Sequence, residues 1–175
     1  MPLPIAAVIA NASSDTTPLL WEFVNRLKAK GYQVRGLIQN LEPGRNGCDI
    51  VLVDIETGTR YPITQDLGTA SEACRLDPAL LIEAGTVLRA VPCLPTDLAV
   101  FNRFGALEAQ GGGFHAEMLA VMTSGKPLLA VVSDKQLGAW RTFTGGLGAE
   151  LQPEIGELES WFRGVQADLG NPPKS

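Results

Sequence analysis

Two stretches of this 175-residue chain concentrate the side chains capable of chemistry. The first runs from Asn11 to Thr17 (NASSDTT), between an apolar segment and Pro18. Ser13, Ser14 and Thr16 are hydroxyl donors, and the free N–H groups of a helix start would lie beside them. Such a turn suits a small oxyanion, with Asn11 and Asp15 in the same loop. A phosphate loop of the form GxxxxGK[ST] asks for more: glycines that let N–H groups close around phosphate, and a lysine for the outer phosphates. With Thr16–Thr17 set on the hydroxyl pair that often follows that lysine, Asp15 takes the lysine position, and the stretch holds no glycine. An aspartate there repels a triphosphate. A simple capped helix start accounts for the same residues about as well.

The second stretch is DLAVFNRFGALEAQGGGF, residues 97 to 114. An apolar strand ending in two acids would offer Mg²⁺ the carboxylate oxygens it prefers. Here Asn102 and Arg103 hold those positions, and a guanidinium opposes a metal while its planar fork of donors suits an anion. Glu108 is the carboxylate left nearby and the candidate acid–base residue if the chain is an enzyme. Arg75 adds a second cation, and Gln39 a polar contact from a neighbouring loop. Cys48 and Cys74 could form a thiol pair activated by Arg75, open to a soft metal or redox chemistry; two small buried thiols are the more ordinary account. The single His115, next to Phe114, reads as a surface or packing residue.

These residues need a scaffold that brings loop ends together. Pro4 to Ala10 is an apolar run of strand length, suited to a strand buried on both faces. Thr17 as N-cap and Pro18 at the first helical position open a helix with Leu19, Leu20, Phe23, Val24 and Leu27 at helical spacing, closed by Gly31. Gln33 to Gln39 is the next strand, which completes a strand–helix–strand unit and favours a parallel crossover. Cys48 to Ile63 reads as two short strands around a turn at Glu56 to Gly58, an antiparallel excursion. A loop from Thr64 to Arg75 leads to Asp77 and Pro78, an N-cap and first helical residue. A helix to Val91, a strand over Asp97 to Asn102, a Gly-rich loop, a helix over Phe114 to Ser124 and a strand over Pro127 to Val132 follow. Helices near Leu137 to Phe143 and Glu154 to Ala167 close the chain. The result is a three-layer α/β fold whose sheet is mostly parallel, with ligands expected beyond the carboxyl ends of its strands. Residues 1–170 are expected to form one domain, with 171–175 as a frayed tail.

A formal charge of −5 argues against nucleic acid and anionic membrane as partners, because both favour basic surfaces. The apolar runs are too short to span a bilayer, and no basic region precedes an apolar run at the start. Three cysteines without a CxxC pair suit reduced thiols. A cytoplasmic, bacterial-type setting follows as the expectation.

Six stretches in order along the chain, GLIQ (36–39), CDIVLVDIETG (48–58), ITQDLG (63–68), CRLDP (74–78), NRFGALEAQGGGF (102–114) and WRTFTGGL (140–147), carry a family resemblance. The chain resembles a bacterial family of unknown function, often encoded beside molybdate-transport genes and labelled a predicted ATPase of molybdenum metabolism. That family is in turn similar to the small thermophilic nucleoside triphosphatases, whose strand end DEIGxxE corresponds to NRFGALE here. The resemblance implies a P-loop NTPase-like fold and a link to molybdate. Combined with the altered loops, it points to a binding protein that holds molybdate, tungstate or a phosphate-like anion without a cofactor. Two other readings stand beside it: an atypical nucleoside-triphosphate hydrolase or kinase using Mg–ATP, and a regulatory or assembly partner without a small ligand. Self-association is open.

Overall fold

In the computed structural model the described residues are 3–11, 15–42, 49–65 and 75–174. The elements are β1 (Ile5–Ala10), α1 (Thr17–Ala29), β2 (Val34–Glu42), β3 (Asp49–Asp54), β4 (Arg60–Pro62), β5 (Thr64–Gln65), β6 (Arg75–Leu76), α2 (Pro78–Ala90), β7 (Leu98–Phe104), α3 (Ala106–Ala109), α4 (His115–Thr123), β8 (Leu128–Ser133), α5 (Leu137–Thr144), β9 (Ala149–Leu151) and α6 (Ile155–Asp168). Seven strands form one sheet in the order β4-β3-β2-β7-β8-β1-β9. The pairs β2–β7, β7–β8, β8–β1 and β1–β9 are parallel. The hairpin β3–β4 joins β2 antiparallel, as the expected excursion.

Alternation along the strands divides the interior into two cores. Ile5 and Ala7 of β1 face one way, with Leu37, Phe101 and Trp140, under α2, α4 and α5. Ala6 and Val8 face the other, with Leu20, Phe23, Leu158 and Phe162 of α1 and α6. This period-two division is what a parallel strand buried on both faces requires. Phe104 meets Trp140 edge-on at 5.3 Å between ring centroids, closing the first core at the end of β7.

In the parallel pairing of β2 with β7, Gly36 is the register partner of Val100. Gly36 has φ +132°, and a Cβ there would overlap the Val100 carbonyl oxygen and lie 2.9 Å from its carbonyl carbon. Only glycine lets the two strands approach this far.

Several elements depart from the sequence expectations. Thr17 is not the N-cap of α1: the helix starts at Thr17 itself, Thr16 occupies the cap position without a side-chain cap bond, and Asp15 Oδ1 accepts from Thr17 N–H at 3.0 Å. The segment read as loop from Thr64 to Arg75 contains the short antiparallel pair β5–β6. β7 continues past Asn102 to Phe104 through an irregularity in its pairing with β8, and α3 interrupts the Gly-rich loop. β9 was not expected; its three residues pair parallel to β1. The tail has no regular secondary structure through residue 174, yet Lys174 N–H donates to the Tyr32 hydroxyl at 3.1 Å and its ammonium lies 4.9 Å from the Tyr32 ring centroid. Among the described residues no helix is long and apolar enough to cross a membrane.

β9 is tied to α5 by a two-pronged ion pair. Arg141 Nε and Nη2 donate to the two Glu150 carboxylate oxygens at 2.8 and 2.7 Å. The guanidinium hydrogen bonds hold the Glu150 carboxyl below its usual range. A carboxylate whose folded-state pKa is depressed contributes stability above its unfolded pKa and loses it as pH falls through the folded value. Glu150→Gln is therefore expected to lower the urea midpoint slightly at pH 7 and to match the parent in strong acid, below both pKa values. An equal deficit at both pH values would show that the pair is not the cause.

Candidate functional site at the carboxyl edge of the sheet

β1, β2 and β7 run parallel within one sheet, so their carboxyl ends open on the same edge. At that edge β2 and β7 are joined by a reciprocal amide pair. Gln39 N–H donates to Asn102 Oδ1 at 2.7 Å, and Asn102 Nδ2 donates to Gln39 Oε1 at 2.8 Å. From the other face, Thr17 Oγ1 donates to the Gln39 carbonyl at 3.1 Å, and Trp21 Nε1 donates to Asn40 Oδ1 at 3.1 Å. The start of α1 is thus fastened to the end of β2 by side-chain hydrogen bonds.

Arg103, the next residue on β7, is exposed. Among the described residues its guanidinium takes part in no hydrogen bond or ion pair. Glu108 behaves differently. It is 8% exposed, and its carboxylate accepts from Gly105 N–H at 3.0 Å and from Phe114 N–H at 3.2 Å. Its backbone carbonyl lies 3.0 Å from His115 Nδ1. A buried charge held by two backbone donors is well satisfied; Glu108 latches the loop from Gly105 to Phe114 closed. His115 packs on Phe143 at 4.7 Å between ring centroids, the packing role its isolation suggested.

Behind Arg103 lies a cavity of about 210 Å³ on the α2 face of the sheet. Gln39, Asn102, Arg103 and Glu108 line it among apolar side chains that include leucines and isoleucines of β2, β3 and α2 and Phe114. A larger groove of about 1310 Å³ runs beside Leu3 and Pro4 at the amino end of β1, between β9 and α6. In open α/β sheets ligands bind beyond the carboxyl ends of strands, which selects the smaller cavity.

Of the residues singled out by sequence, Gln39, Asn102, Arg103 and Glu108 converge on this cavity. Asn11 and Asp15 are exposed at the end of β1 and the start of α1, and Thr16 is half-buried. Ser13, Ser14, Cys48 and Cys74 lie outside the described residues, as does the Arg75 side chain, whose backbone belongs to β6. Sequence reasoning missed the apolar walls, because Leu37, Ile50 and Leu52 follow the same alternation as any core strand.

The end of β7 presents an amide and a guanidinium in place of carboxylates. At the start of α1 Asp15 already occupies the Thr17 N–H, and Pro18 has none. No group of three or more His, Cys, Asp or Glu side chains converges as metal ligands among the described residues.

A mostly parallel seven-stranded sheet with helices on both faces defines an α/β protein with a P-loop NTPase-like fold. Two solved structures share it: a human cancer-related nucleoside triphosphatase, at TM-score 0.66 and 17% identity, covering 97% of this chain and all of that one, and THEP1 from the hyperthermophile Aquifex aeolicus, at TM-score 0.63 and 11% identity, covering 94% of this chain and 98% of that one. The chain belongs to the family described as protein of unknown function DUF2478, whose pattern matches residues 5–161. A relative from Bradyrhizobium diazoefficiens, the molybdenum import ATP-binding protein ModC 2, is 34% identical over 171 residues. That match takes in 96% of this chain and 19% of the relative, so the chain spans about a fifth of the relative's length.

Proposed function

We propose that this chain is a binding protein of molybdenum metabolism, working in the cytoplasm, that takes a small anion at the carboxyl edge of the sheet. Molybdate, tungstate or a phosphate-like group is the anion. The observation that carries this reading is Arg103: a guanidinium without a partner among the described residues, beside a cavity mouth whose amides are fixed by the Gln39–Asn102 pair. Arg103 supplies the charge and the planar fork, and Gln39 supplies further N–H donors. Asn11, Ser13, Ser14, Thr16 and Arg75 are proposed as additional donors from the neighbouring loops. Asp15, engaged with Thr17 N–H, instead fixes the start of α1.

The fold and the relative's name also fit nucleotide hydrolysis, with Glu108 or Asp15 as the acid–base residue; both Glu108 oxygens hold backbone amides, and Asp15 Oδ1 accepts from Thr17 N–H. A partner role has one observation in its favour: in the B. diazoefficiens relative the matching segment forms part of a much longer molybdenum import ATP-binding protein.

A thermal-shift series with molybdate, tungstate, sulfate, phosphate and Mg–ATP tests the proposal. An oxyanion at 100 times its Kd is expected to add about 2.7 kcal/mol of stability, and Arg103→Ala to abolish the shift without lowering the unliganded midpoint. Magnesium-dependent phosphate release, with no response to any oxyanion, would replace the binding reading by the hydrolase. No response to any of the five ligands would favour the partner role.

A further inference from the structure

The anion site at Arg103 is open at the mouth and apolar behind it, and the two halves together describe a ligand. We infer that the anionic group held by Arg103 is carried on an apolar ring that enters the cavity. This rests on the anion site at Arg103 proposed above and departs from free molybdate or tungstate as its occupant. The ligand class is an aromatic or alicyclic carboxylate, sulfonate or phosphate ester.

The walls decide this. Leu37, Ile50, Leu52, Leu81, Leu88 and Phe114 make the cavity's apolar walls. A tetrahedral oxyanion drawn in among them would lose its water and gain no donors, a heavy penalty for a charged group. The anion is therefore confined to the mouth. There, Asn102 Oδ1 and Gln39 Oε1 already accept each other's N–H groups; what remains to offer is the guanidinium and the free amide hydrogens of Gln39 and Asn102. Glu108, the carboxylate on the wall, is held by Gly105 and Phe114 and forms no ion pair with Arg103. The mouth thus offers a surplus of donors, matched to an acceptor-rich anionic head. The depth takes only apolar matter. Apolar cavities of about 150 Å³ hold benzene, so the 210 Å³ here has room for one ring or a compact fused pair.

Calorimetric titration with three probes tests this on the full chain: naphthalene-2-sulfonate, neutral 2-naphthol and inorganic sulfate. Naphthalene-2-sulfonate is expected to bind at least about tenfold more tightly than either of the others, about 1.4 kcal/mol by conversion. Leu81→Trp, which fills the cavity from a half-buried position, is expected to weaken the naphthalene probe about tenfold and leave sulfate unchanged. Methyl NMR of the parent protein gives an independent reading if that variant fails to fold: the Leu52 and Leu81 methyl signals move with naphthalene-2-sulfonate and stay in place with sulfate. Equal affinity for sulfate and naphthalene-2-sulfonate, with those methyls still, overturns the ring and leaves the anion site standing. Tight binding of the naphthalene probe that survives Arg103→Ala overturns the anchoring by Arg103. Absence of binding by both anions overturns the anion site and this inference with it.

Discussion

Gly36→Ala is expected to lower stability by about 4–5 kcal/mol or to prevent folding altogether, the range reserved for backbone clashes and core disruption. The methyl group would overlap the Val100 carbonyl oxygen, a backbone atom that cannot rotate away. It would also have to adopt φ +132°, which L residues rarely do. For a domain whose whole stability lies near 5–15 kcal/mol, such a loss is close to decisive. Gly58→Ala is the control. Gly58 also has positive φ, +74°, but no atom lies within 4 Å of an added Cβ, so only the backbone penalty of about 1–2 kcal/mol is expected. Urea denaturation of both variants gives the comparison. If Gly36→Ala costs no more than Gly58→Ala, the close approach of β2 to β7 is not a requirement of the fold. The consequence extends to function, because this approach sets Gln39 beside Asn102, and a surviving Gly36 variant should bind anions more weakly.

The second large effect is at Glu108. Replacing it with alanine leaves the Gly105 and Phe114 amides without their acceptor. With hydrogen bonds to a charged group contributing about 1.5–3 kcal/mol each, the expected loss is about 3–6 kcal/mol, and roughly half that for Glu108→Gln, which retains one carbonyl oxygen. Gly113 makes the test sharper. A Cβ there would overlap Glu108 Oε1 and lie 2.8 Å from its carboxyl carbon, at φ +53°. Gly113→Ala should therefore be costly in the parent and much cheaper in the Glu108→Ala background, where the clashing carboxylate is gone. Chemical denaturation of the two single variants and the double gives the coupling. Additive losses would mean that Glu108 does not pack against Gly113 in solution. A catalytic Glu108 makes a different signature: Glu108→Gln would lose phosphate release while keeping its stability.

Much of this fold is legible in the sequence where local chemistry decides the outcome. Asp77 and Pro78 announce the start of α2, and Asp77 Oδ1 does accept from Ala79 N–H at 2.9 Å. The turn at Glu56 to Gly58 marks the β3–β4 hairpin in the same way. β9 is different: Ala149, Glu150 and Leu151 are too few to show a period, and their strand character comes from pairing with β1. α3 is a four-residue turn held by Glu108, a contact between a side chain and a loop that no periodicity reveals. The polar residues of the site were legible because an amide and a guanidinium at a strand end are unusual. The cavity was not. Leu52 and Leu37 carry the same pattern whether another side chain or empty space lies opposite, and that depends on where α2 settles.

The hydrogen bond between Trp21 and Asn40 has an optical consequence. Of the three tryptophans, Trp140 on α5 is sealed in the core, and Trp161 lies in the groove with Leu3 and Pro4. Trp21 alone is fastened to the edge that carries the site, one residue from Gln39 through Asn40. Its emission colour follows the polarity around that indole, so the molecule carries a built-in fluorophore on the strand that lines the cavity, reading that strand from the opposite face of the sheet, while the other two give a steady background.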